Sequence, residues 1–156
     1  MGAPRPVVDA LGDMASDPQS VSEPRVTCLL ADDSAPVLSA LQRLLELEGV
    51  EVIGAASSGL EALELLEAQP ANVIVLDFRL PGLDGLEVAR RAAEIARRKT
   101  AIIFYTSYAD AQFVADALDG GARGIVLKDA APTNLLKAIS VVAAGGTFID
   151  PQLEKG

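Results

Sequence analysis

The stretch Asn72-Val73-Ile74-Val75-Leu76-Asp77-Phe78-Arg79-Leu80-Pro81-Gly82 decides the fold of this chain. Four branched aliphatic residues follow Asn72, one acid comes next, and a Pro-Gly turn closes the stretch. A strand that is apolar at every position is buried on both faces, which is typical of a parallel sheet covered by helices. Asp77 then stands where such a strand ends.

Apolar runs of the same kind occur at four more places, 26–31, 50–55, 101–105 and 124–127. Segments with apolar residues near helical spacing follow the five runs, and Ser, Asp, Gly and Pro mark their ends. These helices are predicted at about 34–48, 57–69, 84–98, 110–119 and 132–144. The βαβαβαβαβα pattern predicts an α/β fold, a flavodoxin-like (βα)5 doubly wound arrangement. Its five-stranded parallel sheet has the order 2-1-3-4-5 with helices on both faces.

Composition excludes several classes of function. The chain of 156 residues has 22 acids and 13 bases, a formal charge of −9, which argues against unaided binding to nucleic acid or an anionic membrane. It has no His and one Cys, so His-based triads, His-ligated metals, Cys-rich zinc sites and internal disulfides are excluded. No apolar run approaches the ~20 residues that span a bilayer, and we expect a cytoplasmic protein.

The chain divides into three parts. Residues 1–25 are rich in Pro and polar residues and are predicted to be a disordered or weakly ordered leader; an extra helix that docks on the domain or on a partner is the alternative. Residues 26–150 form the predicted domain. Residues 151–156 are the start of a linker or the end of an excised piece.

Polar side chains stand at the carboxyl ends of four predicted strands. Asp32 and Asp33 follow strand 1, Asp77 strand 3, Thr106 strand 4 and Lys128 strand 5. These strands are neighbours in the predicted order, and ligands of doubly wound sheets bind outside the carboxyl ends of the strands. We therefore expect the five side chains to meet in one crevice.

This set of groups suits one kind of chemistry. Three neighbouring carboxylates repel one another unless a cation joins them, and Mg²⁺ prefers such oxygen ligands. A carboxylate beside Mg²⁺ can attack a phosphoryl group and form an aspartyl phosphate, while an ammonium and a hydroxyl contact the remaining oxygens. Each residue alone has a plainer explanation: the Asp pair or Thr106 as a helix cap, and Lys128 as a solvated loop residue.

Residues 26 to about 150 resemble the receiver domain of bacterial two-component response regulators. The resemblance rests on the matching stretches Leu29-Leu30-Ala31-Asp32-Asp33, Val73 through Gly85, Thr106-Ser107, and Gly121 through Lys128. It implies a protein that accepts a phosphoryl group. It also implies that the protein catalyses only its own phosphorylation and dephosphorylation. A sensor histidine kinase donates the phosphoryl group and supplies the His that this chain lacks.

The resemblance also implies a role for each site residue. Asp77 accepts the phosphoryl group, Thr106 donates a hydrogen bond to it, and Lys128 forms an ion pair with it. Mg²⁺ is the implied cofactor. Its implied ligands are Asp33 directly, Asp32 mostly through water, Asp77, and the main-chain carbonyl of Arg79.

The C-terminal segment resembles receivers of the NarL/LuxR class. The similar stretches are Lys128-Asp129-Ala130, Leu135 through Ile139, and Ala143 through Pro151. In that class a helix-turn-helix domain follows, so DNA contact is expected only through a domain that this chain lacks. We expect an excised receiver, with a lone receiver as the alternative. The resemblance is compatible with a homodimer, and a membrane partner is not expected.

Two positions depart from the family pattern. Asp129 replaces the Pro that often follows the Lys, and Ile125 replaces the aromatic residue that often stands three positions before it. We therefore expect a readout that differs from the usual coupling of Thr106 to an aromatic switch. A degenerate receiver that acts only as a protein–protein interaction module is the alternative function. A flavin mononucleotide site fits poorly, because the acids repel its phosphate.

Arg79 and Tyr108 each stand two residues past a site residue. They are predicted to shield the acyl phosphate from water. Exposure of both side chains to solvent, without a role, is the alternative.

Overall fold

The computed structural model describes residues 25–95 and 99–154. The predicted leader, apart from Arg25, lies outside the described residues. The elements are β1 Thr27–Ala31, α1 Ala35–Leu47, β2 Glu51–Ala56, α2 Gly59–Ala68, β3 Val73–Leu76, α3 Gly85–Ile95, β4 Ala101–Thr106, α4 Ala111–Asp119, β5 Gly124–Leu127, α5 Pro132–Ala143, β6 Phe148–Ile149 and α6 Pro151–Glu154. In the part of the chain so described, no helix has the length and apolar character needed to cross a membrane.

All strands pair in parallel, in the order β2-β1-β3-β4-β5-β6. The predicted doubly wound α/β fold and the order 2-1-3-4-5 are confirmed. The prediction of five strands is incomplete, because β6 adds a short parallel strand beside β5 at Gly124 and Ile125. Two residues are too few to give a periodic signal in the sequence.

Helices cover both faces of the sheet, as predicted. Alternate strand residues point to opposite faces, so each strand contributes to two cores. One core packs against α2, α3 and α4 and includes Leu29, Ile74, Phe104 and Ile125. The other packs against α1 and α5 and includes Cys28, Val75, Ile103 and Val126.

Burial raises the pKa of the Cys28 thiol to about 12, so this cysteine is a core residue in the thiol form.

The strand register brings the carboxyl ends of the central strands to one edge. Ala31 pairs with Leu76, Leu76 with Phe104, and Thr106 with Leu127. The residues that directly follow β1 and β3 therefore emerge side by side, and the residue after β5 emerges at the same edge, beyond β4. This is the edge at which the sequence places its polar side chains.

Most element boundaries lie within two residues of the prediction. Helix α3 is described as far as Ile95, and its predicted end near residue 98 lies outside the described residues. Asp110 is the N-cap of α4 rather than its first residue, and its side chain accepts a hydrogen bond of 2.8 Å from the Phe113 amide. The segment predicted to begin a linker forms α6 at Pro151–Glu154.

Candidate functional site

Three carboxylates meet at the carboxyl edge of the sheet. Asp32, Asp33 and Asp77 each place a carboxylate oxygen within 4.8 Å of the others. Asp32 and Asp77 are buried, and Asp33 is exposed. Main-chain hydrogen bonds extend the sheet to the two buried acids, since the Asp32 amide donates to Ala56 and the Asp77 amide to Ala31. The cluster therefore lies at the ends of the adjacent strands β1 and β3, with one acid open to solvent.

Lys128 joins the two buried acids. Its ammonium nitrogen Nζ lies 2.7 Å from Oδ2 of Asp32 and 3.0 Å from Oδ2 of Asp77. Burial alone lowers the pKa of Lys128, but the hydrogen bonds to the two carboxylates outweigh burial and raise the pKa above that of an ordinary lysine. One ammonium among three carboxylates leaves the cluster net negative, which attracts a further cation.

Thr106 lies at the end of β4 beside this cluster and is buried. Its main-chain carbonyl accepts a hydrogen bond of 2.8 Å from the Lys128 amide. Among the described residues its hydroxyl has one partner, the Tyr108 carbonyl, at 3.5 Å. A bond of that length is weak, so the hydroxyl is free to turn toward another acceptor.

The loop after Asp77 is held close to the start of α3. The Arg79 amide donates to Oδ1 of Asp77 at 3.2 Å, and the Gly85 amide donates to the Phe78 carbonyl at 3.0 Å. A Cβ atom at Gly85 would lie 2.7 Å from the Cα of Phe78, which is closer than real contacts allow. This approach requires glycine and explains the Gly-containing loop that follows the acceptor candidate.

Of the simpler explanations for these residues, the helix-cap role holds in part for Asp32, and those for Thr106 and Lys128 do not hold. Oδ1 of Asp32 accepts from the Ser34 amide at 2.9 Å, and Ser34 is the N-cap of α1. Asp32 thus supports a helix start as well as the acid cluster. Asp110, and not Thr106, caps α4. The Lys128 side chain is 20% exposed and ion-paired, so it is no solvated loop residue.

The donor set fits a hard divalent cation. Carboxylate oxygens are ligands that Mg²⁺ prefers, and an exposed acid at the rim leaves room for the waters that Mg²⁺ retains. The Arg79 main-chain carbonyl as a further ligand stays a prediction.

Tyr105 is a site neighbour that the sequence reasoning missed. Its side chain is half-buried, and burial raises the pKa of its phenol, with smaller opposing effects from the charges of Lys128 and Asp32. The sequence feature that could have identified Tyr105 is its position directly before Thr106. Tyr108 lies on the other side of Thr106, so both tyrosines of the chain flank the site.

A groove of about 280 Å³ runs beside the site, and Arg79 and Tyr108 both line it. Phe78 and Phe113 lie in the same groove, with ring centroids 4.9 Å apart and edge-to-face. Phe113 also packs edge-to-face on Phe104, at 5.3 Å. Three phenylalanines thus connect the residue after Asp77 with β4 and α4.

A larger cavity, of about 400 Å³, opens at the opposite edge of the sheet. Its lining includes Lys99, Thr100 and Arg123 and none of the predicted site residues. The predicted site residues therefore do not line this cavity.

Comparisons with known proteins agree with this arrangement. A family model described as "Response regulator receiver domain" matches residues 28–140. The Mycobacterium tuberculosis protein "Probable transcriptional regulatory protein NarL" is 35% identical over 133 residues, 85% of this chain and 61% of that protein. The chain therefore spans about three fifths of this relative's length.

Two solved structures show the same fold. A two-component response regulator of the LuxR family from Aurantimonas superposes with a TM-score of 0.80 and 28% identity, covering 85% of this chain and 94% of that one. The isolated receiver domain of RcsB from Salmonella enterica, determined with the phosphomimetic BeF3−, gives a TM-score of 0.77 and 27% identity over 85% of this chain and 98% of that one.

Proposed function

Because the chain belongs to the response regulator receiver domain family, we propose that Asp77 accepts a phosphoryl group from a sensor histidine kinase in a Mg²⁺-dependent reaction. As a receiver domain it is a regulatory module of two-component signalling rather than a classical enzyme. The observation that carries the proposal is the convergence of three carboxylates, two of which pair with the ammonium of Lys128. That arrangement favours transfer of an anionic group onto a carboxylate.

Asp77 is the proposed nucleophile because the resemblance to receiver domains assigns that role to the acid after β3, and its Oδ2 lies 3.0 Å from the Lys128 ammonium. One of its oxygens attacks phosphorus, and the bond from phosphorus to the kinase histidine breaks. The electrons of that bond leave with the imidazole, which takes up a proton. Asp32, Asp33, Asp77 and the Arg79 carbonyl are proposed to hold Mg²⁺. When bound, that ion supplies positive charge to the phosphoryl oxygens.

Lys128 and Thr106 are proposed to recognise the new group. A phosphoryl group adds about −1.5 to −2 charges at neutral pH. Lys128 already lies 3.0 Å from Asp77, so a small movement pairs it with the phosphoryl oxygens. The weakly held hydroxyl of Thr106 turns to the same group. Movement of these two strand ends shifts the loop before α4 and provides the signal.

The output is proposed from the class of the relatives. We propose that this receiver controls a DNA-binding transcription regulator domain in the cytoplasm, through an altered homodimer or a released effector. We also propose that it catalyses only its own phosphorylation and dephosphorylation. The alternative, an interaction module without phosphotransfer, is favoured by Ile125, which is fully buried where an aromatic switch residue is usual.

The test is the intact mass of the protein after incubation with acetyl phosphate, with and without Mg²⁺. The parent should gain one phosphoryl group only with Mg²⁺, and Asp77→Asn should gain none. Asp84→Asn is a matched control, since the Asp84 carboxylate caps α3 by accepting from the Glu87 amide at 2.9 Å. No adduct on the parent, together with no Mg²⁺ binding, would favour the interaction module and overturn the proposal.

A further inference from the structure

Asp150 is a buried carboxylate outside the acid cluster. Its residue has 0% exposure, and it directly follows β6. Its Oδ2 accepts a hydrogen bond of 3.1 Å from the Leu127 amide, and its Oδ1 accepts one of 3.0 Å from the Gln152 amide. Leu127 is the last residue of β5 and directly precedes Lys128. One carboxylate thus ties the end of β5 to the start of α6.

The shortness of β6 explains why a side chain is needed there. The Phe148 amide donates to the Arg123 carbonyl, and the Asp150 amide donates to the Ile125 carbonyl. The next amide on that side of β5 belongs to Leu127, but the chain has already turned into α6. A buried amide without a partner is costly, and the Asp150 carboxylate provides the partner that a longer strand would have supplied.

The end of β5 is therefore held from both sides. The Leu127 amide bonds to Asp150, and the next amide, that of Lys128, bonds to the Thr106 carbonyl at 2.8 Å. These two bonds fix the peptide from which the Lys128 side chain starts. We propose that Asp150 is a positioning residue for Lys128. Asp150 keeps the Lys128 ammonium within reach of Asp77 and of the phosphoryl group.

This inference rests on the proposed function and extends it to the exit of the domain. Because the same carboxylate also holds Gln152, a displacement of Lys128 toward a phosphoryl group changes the hydrogen bonding at the start of α6. The signal that reaches a following domain then passes through Asp150 as well as through the loop before α4.

The test separates the metal-binding half of the site from the phosphoryl-binding half. The chain has no Trp, and Tyr105 and Tyr108 flank Thr106, so tyrosine fluorescence follows titrations with Mg²⁺ and then with beryllofluoride. Asp150→Ala should weaken beryllofluoride binding about tenfold, equivalent to about 1.4 kcal/mol. Its Mg²⁺ affinity should not fall, because the acids directly follow β1 and β3 and a displaced Lys128 competes less with the cation. Asp150→Asn keeps an acceptor oxygen for the Leu127 amide but none for the Gln152 amide, so it should restore part of the affinity.

Thr100→Val is the matched control. The Thr100 hydroxyl, in a residue 6% exposed, donates to the Ala71 carbonyl at 2.6 Å at the opposite edge of the sheet. This variant also loses a buried hydrogen bond, but it should bind beryllofluoride as the parent does. If Thr100→Val lost as much beryllofluoride affinity as Asp150→Ala, the positioning role of Asp150 would be overturned. The same would follow if Asp150→Ala bound beryllofluoride as tightly as the parent. In both cases the proposed function would stand. Failure of the parent to bind beryllofluoride would overturn the proposed function instead.

A measurement on the parent needs no variant. In amide nuclear magnetic resonance spectra, the signals of Leu127 and Gln152 should move together with that of Lys128 as beryllofluoride binds. Signals of Leu127 and Gln152 that stay in place while Lys128 moves would contradict the inference.

Discussion

The ammonium of Lys128 lies 3.0 Å from Oδ2 of Asp77, a residue 51 positions earlier in the chain. The same ammonium lies 2.7 Å from Asp32, and all three side chains are largely shielded from solvent. Removal of one partner from such a set leaves buried charges uncompensated, which is more costly than the net gain from the pair. Lys128 therefore contributes to the stability of the fold as well as to the proposed chemistry.

Lys128→Met should lower the free energy of unfolding by about 2–3 kcal/mol at neutral pH, because Asp32 and Asp77 then repel each other without a cation. Mg²⁺ should bind more tightly than in the parent and restore part of the loss. Urea unfolding with and without Mg²⁺ measures both effects. Lys137→Met, an exposed lysine on α5, is the control. A Lys128→Met protein as stable as the parent without Mg²⁺ would contradict this account.

The contribution of Lys128 should persist over the whole neutral range of pH. Its pKa in the folded protein is raised, so the protonated form stabilises the fold. That contribution is complete below the ordinary lysine pKa of about 10.4 and is lost as the pH rises through the folded value. The stability difference between the parent and Lys128→Met should be constant from about pH 7 to 9 and should shrink above about pH 10.5. A difference already lost near pH 8 is the contrary outcome.

Arg79 and Tyr108 should slow the loss of the phosphoryl group. Both side chains are exposed and line one groove beside the site, where they limit the approach of water to an acyl phosphate. We expect Arg79→Ala and Tyr108→Ala to release phosphate about two- to tenfold faster than the parent, a change of about 0.4–1.4 kcal/mol in the barrier. Leu60→Ala, an exposed site on α2, is the control. Equal release rates in all four proteins would rule out the shielding role.

We expect Phe113 to transmit the change at the phosphorylation site to helix α4. Its ring packs edge-to-face on Phe78, which follows Asp77, and on Phe104 in β4. Phe113→Leu should reduce the free energy of unfolding by about 1–2 kcal/mol, since aromatic pairs add about 0.5–1.5 kcal/mol beyond burial. It should also reduce the shifts of α4 amide signals when beryllofluoride binds. Unchanged α4 shifts would assign the coupling to another route.

The sequence predicted the sheet well because each central strand is apolar at every position. Uniformly apolar runs at regular spacing indicate buried parallel strands, and the topology then follows from few alternatives. Strand β6 and helix α6 escaped prediction for the opposite reason. They are two and four residues long and are held by contacts with β5, which local periodicity does not register.

The acid cluster was predictable for a similar reason. The strand order alone brings the ends of β1, β3, β4 and β5 to one edge, so residue types at those ends were sufficient. The role of Asp150 was not predictable in this way. Its partner, the Leu127 amide, is a main-chain group, and no residue type marks an amide that lacks a partner in the sheet.

The most direct test of the account is to identify the residue that carries the phosphoryl group. After reaction with acetyl phosphate and Mg²⁺, borohydride reduces an aspartyl phosphate to homoserine, and peptide mass spectrometry then locates the reduced residue. Homoserine is expected at position 77, with Asp32 and Asp33 unmodified. Homoserine at either of those two positions, with Asp77 intact, would contradict the proposed division of the three acids into one acceptor and two metal ligands.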